Sequence, residues 1–327
     1  MKKRINIHNL VPFIAFAVIF LFFTFASYNP KTGVFMMLTA RNLTTILEQS
    51  MMTILVASGT LFVVAQGSTD LSVGVNLALS GVLSAYIAFV TGIDFLLIPI
   101  ALVVGLIVGL INGIIVSRFK VSSFMVTLAM LIGIRGLVNY LQVYTDIQKR
   151  PEGLDFMNKA VFKIPCFIII MAIMLYLFEF TKAGRYSRAI GENETTAKSV
   201  GVPVRKFKII AFALSGIMAG VGAILYIVTI ASTSNQMGTF LEIRVIMAIY
   251  LGGVLVTGGS SAKFYKILLG SFSIQIIVTG LALMGKSDVH ISQSVQGILL
   301  ILILVMSSLG RNIKSLKERQ IRKEIYK

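Results

Sequence analysis

The sequence predicts an all-α integral membrane protein of about ten transmembrane helices with N and C termini on the cytoplasmic side, and three observations carry that expectation. The first is composition: 56% of the 327 residues are hydrophobic and 13% are charged, against roughly 45–50% and ~25% in soluble domains. The second is where the charges fall. They leave uncharged stretches over 5–30, 49–69, 71–93, 95–117, 209–241 and 289–310, each long enough for a spanning helix of about 20 residues. Four shorter stretches, 121–134, 164–178, 245–262 and 267–285, complete the ten. The third is the asymmetry of Lys and Arg. With the N-terminus inside, twenty-one of the 30 basic residues fall on inner segments and seven on outer ones, while Arg135 and Arg244 lie within or beside spans. That bias sets the orientation. It also accounts for most of the net charge of +17 as a basic rim beside anionic lipid, so no nucleic-acid partner is expected.

Continuous apolar runs must be helical, because hydrocarbon offers no water to an unpaired backbone group and barrel strands would alternate over about half the length. The first run follows Lys2-Lys3-Arg4. Its apolar core, 11–28, exceeds a usual signal-peptide core and no small-x-small site follows, so it reads as a retained helix.

Between the second and third spans stands GSTDLSVG, 67–74. Asp70 or Ser72 suits the cap of the next helix, and Asp70 is the only acid between Glu48 and Asp94. The plain reading is an interfacial cap. The functional one is a break in the helices facing a cavity, where irregular backbone is tolerated. Next comes GLIVGLING, with Gly105, Gly109 and Gly113 four apart on one face, a packing surface that Gly216 and Gly220 repeat beside Ala219 and Ala223. Within spans, Asn112, Thr127, Arg135, Asn139 and Gln275 are candidates to line a path for a polyhydroxylated solute. Arg135 must face protein, water or a headgroup, since a charge in hydrocarbon costs at least ~2.5 kcal/mol.

The longest outer loop, 145–163, mixes Lys149, Arg150, Glu152, Asp155 and Lys159. The longest inner one, 182–208, contains a short helix with its own caps. Asn193 caps its start, Glu194 and Lys198 suit the helix dipole, Gly201 suits the left-handed position past the end, and Pro203 stops continuation. A helix of two turns, roughly 194–200, is unstable alone and must lean on a partner protein, on its own bundle or on lipid. Further on, VLVTGGSSAK, 254–263, resembles a distant repeat of the GSTDLSVG break.

Near the end, GLALMGKS (280–287) fits the phosphate-loop pattern G-x-x-x-x-G-K-[ST]. That loop needs a strand before it and a helix after it, and a separate acid ending an apolar strand. Here it closes an apolar run on the outer side, and none of the five Asp follows four apolar residues. It reads as a chance match. Cys166 is alone, and His8 and His290 make no metal site. No nucleophile and base stand together, so no catalytic residue, cofactor or metal is expected. The chain divides into one transmembrane domain, 1–310, and a basic inner tail, 311–327, written as a surface helix.

Taken together, RAIGENETTAKSVGVPVRKFKIIAFALSGIMAGVGAIL, GSTDLSVGVNLALSG, GLINGIIVSRFKVSSFMVTLAMLIGIRGL and LEIRVIMAIYLGGVLVTGG closely resemble, in order, the ribose-type permeases of ABC importers, over nearly the whole chain after Leu43. The resemblance implies a non-enzymatic permease in the cytoplasmic (inner) membrane of a prokaryote, carrying a ribose-like pentose or related monosaccharide. It implies a second permease chain, homo- or heterodimeric, two cytoplasmic ABC ATPase subunits, and an extracytoplasmic solute-binding protein. Gly191, Glu192, Glu194, Ala197 and Gly201 would then form the ATPase-docking element, and Asp70, Ser72, Asn112, Thr127 and Arg135 are the candidates for the translocation path. Two departures stand out: Arg244 replaces a usual acid, and residues 260–263 read SSAK where the family is glycine-rich. Nucleosides or a furanosyl autoinducer are alternative cargoes. An ion-coupled carrier is the other class, against which the acids Asp70, Glu179 and Glu242 all lie near expected span ends.

Overall fold

The computed structural model describes residues 7–144, 152–286 and 291–299, with 301, 302 and 305. Eleven helices follow in order: α1 Ile7–Ala26, α2 Ala40–Ala65, α3 Val73–Thr91, α4 Leu97–Phe119, α5 Ser123–Tyr144, α6 Ala160–Phe180, α7 Lys182–Glu192, α8 Glu194–Ser199, α9 Val204–Ile230, α10 Leu241–Leu251 and α11 Phe264–Leu283. Residues 291–299 are helical as well. The helical class is as expected, with one addition: Tyr28–Asn29 and Val34–Phe35 pair as a two-residue antiparallel ribbon between α1 and α2. Among the described residues seven helices are long and apolar enough to cross a membrane, and α1 adds a shorter apolar stretch, Pro12–Ala26.

Two expected spans take a different course. Residues 245–262 do not form one helix: α10 has 11 residues, about 16 Å at 1.5 Å per residue, and half of a ~30 Å hydrocarbon core. The chain then turns irregularly through Gly253, Gly258 and Gly259, all at positive φ. The uncharged run 209–241 is also not one span. Helix α9 ends at Ile230, and 231–240 runs back into the bundle, leaving Met237 fully buried. The helix expected at 289–310 is seen at 291–299, and the tail 311–327 lies outside the described residues.

The centre of the bundle is the α4–α9 pair, and its closeness comes from the absence of side chains. A Cβ on Gly216 would strike the Gly105 carbonyl oxygen, one on Gly109 would strike that of Phe212, and one on Gly220 would strike that of Ala101. The three glycines of α4 and the two of α9 therefore let the backbones touch, as four-residue spacing predicts. Helix α2 packs beside them: Gly59 abuts Leu214 and Met218, and its Phe62 meets Phe178 of α6 edge-on at 5.0 Å.

The apparent phosphate loop is the end of a helix. Gly280 to Leu283 close α11, Gly280 packs on the Phe23 ring, and Gly285 takes φ +77 beyond the cap. No strand precedes it. Ser287, like Lys149 and Arg150 of the outer loop, lies outside the described residues.

Candidate functional site

The break between α2 and α3 stands deep in the bundle, where the plain reading would have put it at the edge. Asp70 meets Ser215, eleven residues along α9 from Val204, a rise of about 16 Å. Helix α2 ends at Ala65 and α3 begins only at Val73, so the intervening backbone needs partners from side chains. Asp70 Oδ1 accepts from the Ser72 N–H at 3.0 Å and from the Ser72 hydroxyl at 2.7 Å, while Oδ2 accepts from the Ser215 hydroxyl at 2.8 Å. Asn112 Nδ2 of α4 donates to Ser72 Oγ at 2.8 Å. On α5, Thr127 Oγ1 lies 3.4 Å from the Thr69 carbonyl, and Ser123 Oγ accepts the Thr69 N–H at 3.0 Å. Three helices, α4, α5 and α9, thus converge on one unwound turn.

Four of the five path candidates, Asp70, Ser72, Asn112 and Thr127, come together here, and their exposures of 2%, 0%, 0% and 0% decide what they do within one chain. They hold the turn's shape and present no surface to a cavity. Ser72 sits at the N-cap position of α3 but makes no side-chain cap of its own; its hydroxyl is committed to Asp70. Ser215 and Thr60, 3.4 Å apart and fully buried, complete the cluster. Sequence reasoning passes over both because buried Ser and Thr inside apolar helices usually bond to their own backbone.

Arg135 stands apart. Its Nη1 donates to the Met237 carbonyl at 2.9 Å and to that of Asn235 at 3.3 Å, so it faces protein and does not join the Asp70 cluster. It pins the segment that returns after α9. That segment carries Asn235 and Gln236 exposed, beside a half-buried Arg135 and an exposed Asn139 on α5. The polar run STSNQMGT is the available signal, hidden because it carries no charge. Where the segment meets α10, Gly238 and Glu242 pack against Gly74 of α3, and a Cβ at Gly74 would strike both. Glu242 is 7% exposed, and its Oε2 lacks a hydrogen-bond partner among the described residues. Gln275 lies elsewhere, 2.5 Å from Gln49 across the α2–α11 contact.

At the end of the bundle that carries α7 and α8, the capped helix forms as its residues require. Asn193 Oδ1 accepts the Thr196 N–H at 2.9 Å, and Gly201 follows at φ +86. What it leans on is its own chain: Ala197 is 4% exposed and packs with Ile190, Val202, Val204 and Phe207. Helix α7, absent from the expectations above, runs directly into it. Gly191 abuts the Ala65 carbonyl at the end of α2, and Glu192 Oε1 accepts the Ser260 N–H at 2.7 Å. Gly191, Glu192 and Ala197 therefore bind α7 and α8 to the bundle, while Glu194, Lys198 and Val200, the last 74% exposed, lie on the outward side, with Glu194 paired to Lys208 of α9 at 2.7 Å. The segment 254–263 lies beside the Asp70 turn, with Gly67 against the Thr257 carbonyl. Among the described residues no group of His, Cys, Asp and Glu is arranged to hold a metal.

A family model described as the branched-chain amino acid transport system / permease component matches residues 42–304. The chain is 30% identical over 280 residues to the ribose import permease protein RbsC of Haemophilus influenzae, covering 81% of this chain and 84% of that one. It is 31% identical over 279 residues to RbsC of Bacillus subtilis, with 81% and 84% covered. It is 29% identical over 270 residues to the galactofuranose transporter permease protein YtfT of Escherichia coli, with 80% and 78% covered. The resemblance carried by the sequence motifs is borne out.

Proposed function

Since the chain belongs to the family of the branched-chain amino acid transport system / permease component, we propose that it is the membrane subunit of an ATP-driven ABC importer, carrying a ribose-like pentose or related monosaccharide across a prokaryotic cytoplasmic membrane. The relatives named for ribose and galactofuranose support the cargo class. The observation that carries the ATP-driven reading is α8, a six-residue helix seated on the bundle through Ala197 with Val200 exposed beyond it. A helix this short persists only by leaning on a surface, and its outward side is free for a second protein.

In this reading α8 faces the cytoplasm and receives an ABC ATPase subunit. Its movement reaches α9 through the Lys208 Nζ to Glu194 Oε2 ion pair at 2.7 Å and the Val204 and Phe207 contacts. From there it reaches the Asp70 turn through Ser215. A second permease chain completes the path, Arg135, Asn235 and Gln236 border it, and the Asp70, Ser72, Asn112 and Thr127 cluster fixes the turn beside it. A solute-binding protein delivers cargo at the opposite end. ATP is bound by the partner and not by this chain.

One observation favours a second reading. Asp70 and Glu242, expected near span ends, are both buried inside the bundle, where an ion-coupled carrier would keep its coupling acids. Gentle purification from the native membrane separates the two. A co-purifying ATPase activity, lost in Val200→Arg while the permease stays folded, supports the importer. Solute uptake driven by an ion gradient, with no ATPase attached to wild type, overturns it.

A further inference from the structure

A groove of about 650 Å³ opens at the α8 end, bounded by the last turn of α4, the α4–α5 link, α8 and the first turns of α9. Five cations line it, Lys120, Lys198, Arg205, Lys206 and Lys208, against one carboxylate, Glu194. Glu194 is taken by Lys208 at 2.7 Å. The other four have no ion-pair partner among the described residues, and Lys120, Arg205 and Lys206 are exposed. Four like charges around one concavity repel one another unless an anion enters. The size suits a small ligand or headgroup.

The surroundings select the anion. Phe119, Val121 and Phe124 on the α4–α5 link and the start of α5 are 67%, 40% and 52% exposed. They stand at the facing ends of α4 and α5, two helices long and apolar enough to cross a membrane, beside the cations. A cationic concavity joined to an apolar rim matches a phosphate headgroup whose acyl chains stay in the bilayer. A soluble phosphate would use the cations and leave the rim idle.

We propose that this groove binds the headgroup of an anionic phospholipid. The lipid would bridge α4, α8 and α9, and so steady the capped helix. Juxtamembrane cations contribute about 1 kcal/mol each, about fivefold in affinity apiece, so three removed together weaken binding roughly 100-fold.

The test uses the purified full chain in neutral detergent, titrated with a fluorescent short-chain phosphatidylglycerol, with phosphatidylcholine of the same chain length and with inorganic phosphate. Saturable binding of phosphatidylglycerol is expected, at least tenfold tighter than phosphatidylcholine. It should fall about 100-fold in the Lys120→Gln, Arg205→Gln, Lys206→Gln variant, and stay unchanged in a Lys31→Gln, Arg41→Gln, Lys159→Gln control at the opposite end. The charge-conserving Lys120→Arg, Arg205→Lys, Lys206→Arg variant keeps binding, and Lys206→Gln alone weakens it about fivefold, which guards against a triple variant that fails to fold. Equal binding by the triple glutamine variant overturns the proposal. So does inorganic phosphate competing as strongly as the lipid, which would make this a soluble-anion site. Loss of only a co-purifying protein in the variant, with lipid binding intact, also overturns it.

Discussion

The Ser215 hydroxyl of α9 donates to Asp70 Oδ2 at 2.8 Å, joining residues 145 positions apart at the point where α2 and α3 are interrupted. Within this chain three donors face the two oxygens of Asp70, and it is 2% exposed. Asn keeps one acceptor oxygen and turns the other into an amide donor, Ala leaves a void, and a buried unsatisfied group costs about 1–3 kcal/mol. Asp70→Asn should lower the midpoint of thermal unfolding in detergent by several degrees, and Asp70→Ala by more. A double-mutant cycle with Ser215→Ala should show coupling of at least about 0.5 kcal/mol. Strictly additive effects would sink the claim that these two residues form the joint.

The α4–α9 contact makes a sharper steric prediction. A single methyl at Gly216 strikes the backbone of Gly105 and Gly109, where neither helix has a flexible side chain to move. Gly216→Ala should therefore separate the helices and destabilise by about 1–3 kcal/mol, the usual cost of overpacking. At Gly136 on α5 nothing lies within 4 Å of the added atom. Gly136→Ala should be neutral or slightly stabilising, because Ala is the better helix former by about 1 kcal/mol. Comparing expression and thermal midpoint of the two variants decides it, and equal behaviour refutes the backbone-contact account.

Arg135 offers a prediction about function with stability as the control. Its guanidinium bridges two carbonyls of the returning segment, those of Asn235 and Met237. Arg135→Met keeps most of the apolar stem and removes both hydrogen bonds. The expected result is a segment 231–240 that exchanges its amides at least tenfold faster, with solute transport lost and the α4–α9 core unchanged. Arg135→Lys, with one ammonium in place of the fork, should recover part of the transport. Unaltered exchange over 231–240 in Arg135→Met would show that the segment is held by other means.

What is legible in the sequence, and what is not, follows from the range of each signal. The caps of α8 and the glycine ladder of α4 and α9 are written within a few residues, as Asn193, Gly201, Gly105 and Gly216 show. The return of 231–240 into the bundle leaves no such mark, because hydropathy reports composition and the run 209–241 is uncharged throughout. Glu192 is similar: its position beside α8 suggests a surface for a partner, and only the fold brings Ser260, 68 residues away, to its carboxylate. Asp70 stands out in the sequence as the lone acid of its region, while its depth depends on Ser215, which no local pattern marks.

The capped helix gives the last prediction, in which intrinsic stability and docking can be pulled apart. Two local features fix α8: the Asn193 side chain on the Thr196 N–H, and the left-handed Gly201 at φ +86. Asn193→Ala should cost about 1 kcal/mol through the lost cap. Gly201→Ala should cost a similar ~1–2 kcal/mol, since an L-residue resists that backbone conformation, although the added methyl meets no atom within 4 Å. Both should raise the rate of proteolysis after Lys198 by about five- to tenfold, as local opening becomes more frequent. Val200→Arg is different. Val200 is 74% exposed and touches no core cluster, so its replacement should leave proteolysis unchanged while abolishing co-purification of an ATPase. Ala197→Arg cannot make that distinction, because Ala197 is 4% exposed and a large side chain there unseats the helix. If Val200→Arg accelerated proteolysis as strongly as Asn193→Ala does, the exposed face would be serving the chain's own stability, and the docking role would need another surface.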